Sequence, residues 1–179
     1  MGAFDGTVCG GLAAIQKLCA QSALGLANSI YVVEAGDLAS IPAPDASSHT
    51  ISGDVVFDTP TTGMWFQWRI ADVDAEFSAQ SVGVAGSQSF QNTLTVFLPI
   101  ARDASVYVMN QIINGEFVVI FGDKNGQKRI LGTDSSPAMI PEGGIQEVNN
   151  SERNGITVTF QQVGHTPYFY DGAIDVSAV

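Results

Sequence analysis

Three carboxylates, Asp72, Asp74 and Glu76, follow one another at two-residue intervals. In an extended strand that spacing turns all three to one side. Such a trio could hold Ca²⁺, which gathers about six to eight oxygen ligands, or it could form a polar wall. An EF-hand would need loop-borne ligands grouped around a glycine, and the sequence has none. The reading carried forward is a polar wall, with no metal expected.

His49 and His165 are the only histidines, and each sits in a polar, loop-like stretch. A histidine base needs a nucleophile and an orienting carboxylate around it. The chain has no GxSxG, no HExxH and no phosphate-cradling glycine loop, and Gly83–Gly86 reads as a turn. No catalytic residue and no cofactor are expected. Trp65, Tyr168 and Tyr170 offer a second chemistry, stacking of exposed aromatics on a glycan or receptor. Trp68, flanked by Phe66 and Ile70, reads as core. Cys9 and Cys19 are too few for a disulfide framework and lack metal-ligand spacing.

The charge of the whole chain narrows the partners. Eighteen acidic residues against seven basic ones give a net charge of −11, and only 14% of residues are charged. Nucleic-acid binding draws on counterion release by Lys and Arg, so no sequence-specific binding is expected. No run of about 18 apolar residues is present, so no membrane-spanning helix is expected. A surface so poor in charge must be covered by Ser, Thr, Asn, Gln and Gly, or hidden against partners.

The elements that would position these residues are mostly strands. Leu12, Ile15, Cys19, Ala23 and Leu26 recur every three or four residues, which predicts a helical arm over 1–28 ahead of one domain over 29–179. Ile30–Val33 reads as a short strand, 35–49 as a loop and Asp54–Asp58 as another strand. Along Met64–Ser78 the apolar face swaps near Ile70-Ala71, which predicts a β-bulge or a bend there. Gln88–Leu98 places Phe90, Leu94, Val96 and Leu98 inward. Ala101–Ile113 has helical spacing, stopped at Asn114-Gly115 with the glycine left-handed. Glu116–Phe121 and Gln127–Leu131 form a hairpin whose Asn125-Gly126 pair suits a type I′ turn with positive φ at both residues. Ile156, Val158 and Phe160 alternate with Thr157, Thr159 and Gln161. The expected fold is a β-sandwich or barrel of about eight antiparallel strands with one flanking helix.

The second half of the chain resembles the major tail tube proteins of long-tailed bacteriophages. The residues that carry the resemblance are Phe117–Phe121, Asp123-Lys124-Asn125-Gly126 and Ile130-Leu131-Gly132. Gly143-Gly144, the strand Arg153–Phe160 and Pro167-Tyr168-Phe169-Tyr170 follow in order. Upstream, Ser29–Val32 and Ser87–Pro99 followed by a helix fit the same sequence of elements. The resemblance implies a structural protein of the virion, made in the host cytoplasm. Six copies would form a ring whose inner sheets join into one barrel, and stacked rings would form a channel for DNA. Its partners would be copies of itself, a tape-measure protein and baseplate or terminator parts. On that reading Asp72, Asp74 and Glu76 face the lumen, where like charge keeps DNA from adhering.

Overall fold

A computed structural model describes residues 25–59, 64–99, 103–149 and 154–176, without the side chains at 72–74 and 103–105. The strands are β1 (Leu26–Glu34), β2 (Leu38–Ser40), β3 (Thr50–Ile51), β4 (Val56–Phe57), β5 (Phe66–Arg69), β6 (Ala71–Val84) and β7 (Ser87–Pro99). Helix α1 (Asp103–Ile112) precedes β8 (Glu116–Asp123), β9 (Lys128–Leu131), β10 (Ala138–Met139), β11 (Ile145–Asn149), β12 (Asn154–Gly164) and β13 (Tyr168–Tyr170). The protein is mainly β with one α-helix among the described residues, as the patterning predicts.

The fold is built around β8. Phe117-Val118-Val119-Ile120-Phe121 is an unbroken apolar run, the pattern of a strand covered on both faces. All five side chains are at most 3% exposed. Phe117, Val119 and Phe121 enter one core with Ile30, Val96, Val158 and Phe160. Val118 and Ile120 enter a second core with Ile51, Trp65, Ile130 and Tyr170. Burying a side chain of this size contributes about 1.5–3 kcal/mol, so β8 is the strand least tolerant of a polar substitution.

Around the first core the ladders run in a circuit. β8 pairs with β1, and β1 pairs with β5. The chain passes through Ile70 into β6, which pairs with β7, β7 with β12, β12 with β10, and β10 with β8. Met109 and Ile112 of α1 pack into this barrel core. Outside the circuit, β9 and β13 extend the sheet from β8, and β3 joins β13 in a parallel ladder.

Several expectations need correction. Leu26–Asn28 belong to strand β1 and not to a helical arm, while residues 1–24 and both cysteines lie outside the described residues. The 35–49 stretch carries a 3-10 turn at Ala35–Asp37 and strand β2. At Ile70 the chain exchanges one ladder partner for another, and the register shift falls between Ala71 and Glu76. The swap of apolar faces thus marks a bend, one of the two expected forms, and the register shift lies beyond it within the acidic run. Phe90 is 41% exposed because it lies near the far end of the β6–β7 hairpin. Helix α1 does stop before Gly115, but that residue is not left-handed. A Cβ there would collide with the Phe117 ring, so close approach is what requires glycine.

The β8–β9 hairpin is present, with a turn of another kind. Gly126 has φ +87°, whereas Asn125 does not have positive φ. The Gly126 N–H donates to the Asp123 carbonyl at 3.1 Å, and the Asp123 N–H to the Gln127 carbonyl at 2.9 Å. This is a three-residue loop, a turn ending on a left-handed glycine. The Asp123 carboxylate tips the choice, because its Oδ1 accepts the N–H groups of Asn125 at 2.9 Å and Gln127 at 3.0 Å.

Candidate assembly surface

Four strands, β6, β7, β12 and β11, lie side by side and antiparallel. One face of this sheet is apolar and forms a wall of the barrel core, through Phe77, Leu94, Val96, Val158 and Phe160. The other face follows from the register. Glu76 stands opposite Thr95, and Thr95 opposite Thr159, with the two threonine hydroxyls 3.2 Å apart. Ser78, Thr93 and Gln161 form the next row, and Gln146 pairs with Thr157 beyond it. The wall is mostly hydroxyls and amides with one carboxylate, interrupted by Phe97 opposite Thr157 and by the exposed Val163 opposite Gln91.

Both outer edges of this sheet are unpaired among the described residues. β6 has a ladder only with β7, and β11 only with β12. Ser87–Ser89 extend past the last β12 partner, so the tip of the β6–β7 hairpin stands clear as a two-stranded arm. Not one residue from Phe77 to Pro99 is charged. Val84 at the tip is 74% exposed.

The predicted acidic trio is only partly placed. Glu76 is exposed and shares its face with Thr95. The backbone of Asp72 and Asp74 belongs to β6, and their side chains lie outside the described set. Because the register shift falls among them, two-residue spacing alone does not carry all three to one face. The aromatic reading fares differently. Trp65 is 1% exposed and Tyr170 0%, so neither can stack on an external glycan. Trp68 packs against the first core.

The two histidines, far apart in sequence, meet at Tyr168. Their ring centroids lie 4.3 Å (His49) and 4.2 Å (His165) from that of Tyr168. His165 Nδ1 is 2.8 Å from the Thr166 carbonyl, and His49 Nε2 is 3.3 Å from the Thr166 hydroxyl. The parallel β3–β13 pairing brings them together, and nothing local in the sequence signals it. Among the described residues no group of three or more His, Cys, Asp or Glu is placed to hold a metal ion.

No known protein family, curated protein or solved structure matches this chain. The surface therefore stands on its own geometry. An exposed sheet edge presents a row of free N–H and C=O groups, and independent monomers blunt such edges with Lys, Pro or a covering loop. The β6–β7 arm carries no Lys and no interior Pro.

Proposed function

We propose that this chain is a non-enzymatic structural subunit that joins copies of itself edge to edge into rings, stacked as the tube of a phage tail. The observation that carries the proposal is the four-stranded sheet β6-β7-β12-β11, whose two edges are unpaired among the described residues. Its strands alternate in direction and are even in number. Under a rotation that superposes one copy on the next, β11 therefore meets the neighbouring β6 antiparallel, and the sheet continues without a break. A heterologous contact of this kind gives a ring where the rotation between copies closes. Six copies per ring is the number the tail-tube resemblance implies.

The same sheet supplies the channel wall. Among the described residues its Thr, Gln and Ser face offers phosphates no cation, so DNA would pass without releasing counterions to it. Glu76 adds like charge, and Asp72 and Asp74 extend it in this proposal. The partners are other copies, a tape-measure protein within the channel and baseplate or terminator proteins at its ends. The protein acts in the virion after synthesis in the host cytoplasm.

Electron microscopy of the purified protein, with light scattering, tests the proposal. Rings or tubes are expected, and a single-chain mass at every concentration and salt, even after mixing with tail fractions, contradicts it. A functional arm replaces both Asp72 and Asp74 with Lys. Tubes should still form, while DNA delivery should fail.

A further inference from the structure

A half-open groove of about 340 Å³ lies between β6 and the β8–β9 hairpin. Phe77 stands on one side, with Phe121, Asp123 and Arg129 on the other. The Arg129 guanidinium lies 4.8 Å from the Phe169 ring centroid and 5.8 Å from that of Phe77. Two aromatic rings thus fix its position, and among the described residues its N–H edge meets no carboxylate. Among the described residues Arg129 makes no ion pair, although two carboxylates line the same groove. The reason is their placement. Asp123 is taken up by the N–H groups of its own turn. Glu76 stands opposite Thr95, on the face of the sheet away from Phe77.

We infer that Arg129 receives Glu147 from a second copy of the chain, and that this ion pair sets the register in which β11 joins β6. The inference rests on the edge-to-edge reading above and adds residue-level specificity to it. Glu147 is exposed on β11 and opposes Ile156, whose side chain is buried in the core. It therefore projects from the same face of the sheet as Phe77, which is the face where Arg129 waits. If the sheet continues into a neighbouring copy, a Glu147 carboxylate beside Phe77 arrives at a guanidinium already oriented. A slip of two residues, which keeps every side chain on its face, would carry Glu147 about 7 Å along β6 and leave Arg129 unpaired. A register pin of this kind is needed here, because the uncharged arm itself gives the edges little to choose between alignments.

The test uses the full chain and measures the concentration at which assembly begins, by light scattering with microscopy of the products. Arg129→Glu and Glu147→Arg should each raise that concentration roughly tenfold or more, as close interfacial charge pairs do. The double swap should recover most of the loss. Should Arg129→Glu unfold by losing its two rings, Glu147→Arg and Glu147→Gln decide the matter, since Glu147 is exposed and thermal melts of dilute protein verify their folding. Wild-type assembly with unaffected Glu147 variants overturns the ion pair and leaves edge-to-edge assembly standing. Failure of the double swap to recover anything also overturns the pair. Wild-type protein that never assembles overturns the edge reading and this inference with it.

Discussion

The side-chain amide of Asn92 donates to Gln162 Oε1 at 2.6 Å, between two residues directly opposite each other on β7 and β12. Both are almost fully buried, in the row that also holds Leu94 and Phe160. Asn92 Nδ2 reaches the His165 carbonyl at 2.7 Å, and Gln162 Nε2 reaches the Ser136 hydroxyl at 3.1 Å. The pair thus ties the sheet to the loop before β10 and to the turn after β12. Replacing Gln162 with Leu leaves a buried amide short of an acceptor and should cost roughly 1–3 kcal/mol. Adding Asn92→Leu should recover part of that loss. Urea denaturation of dilute protein checks both, and a single variant as stable as wild type contradicts the role.

The turn at Gly126 gives a second expectation. Its φ of +87° is open to glycine and strained for a β-branched side chain. Gly126→Val should cost roughly 1 kcal/mol or more. Asp123→Ala should cost about 1 kcal/mol, through loss of an acceptor for two backbone N–H groups. Thermal melts of both variants decide, and unchanged midpoints would remove the turn from the account.

Tyr170 predicts an alkaline limit on stability. Burial pushes its hydroxyl above the ordinary tyrosine value, although a hydrogen bond at Val55 works the other way. The hydroxyl donates to the Ala173 carbonyl at 2.9 Å. A raised folded value leaves stability intact below the ordinary tyrosine range. Stability is lost as pH rises from that range through the folded value, because the unfolded chain ionises first. Tyr170→Phe should flatten this alkaline loss while lowering stability at neutral pH through the missing hydrogen bond. Melting temperatures measured across the alkaline range separate the two effects, and parallel profiles for wild type and variant would contradict the assignment.

The arm tip separates folding from assembly. Val84 is 74% exposed, so Val84→Lys should change stability by no more than about 0.5 kcal/mol. A lysine on the otherwise uncharged Phe77–Pro99 arm should nevertheless oppose strand addition. Sedimentation of the variant beside wild type reads this out directly. Equal assembly by both would show that the tip takes no part.

What the sequence could reveal depended on the range of the forces involved. The burial of β8 on both faces, which five consecutive apolar residues signal, goes unread, although Glu116–Phe121 is legible as a strand. Alternation at Ile156, Val158 and Phe160 was equally plain, and the structure buries all three. Trp65 and Tyr170 carry no local sign of burial, since the pairings that bury them are long-range. Tyr170 pairs with Ile51, and Trp65 bridges to Val176, across spans that local periodicity does not sense. The acidic run was visible as chemistry, but the register shift within it depends on β6 leaving one corner and joining β7. That β6 and β11 are edges among the described residues is a property of topology alone. Arg129 passed unnoticed because its partners come from β6 and β13, one of them more than fifty positions away in the sequence.

A cryo-electron microscopy reconstruction of the assembled particle tests the central claim most directly. The account predicts β11 of each copy hydrogen-bonded antiparallel to β6 of the next, with the Thr, Gln and Glu76 face turned to an open channel. Particles in which β6 and β11 remain unpaired, or in which that face looks outward to solvent, would contradict it.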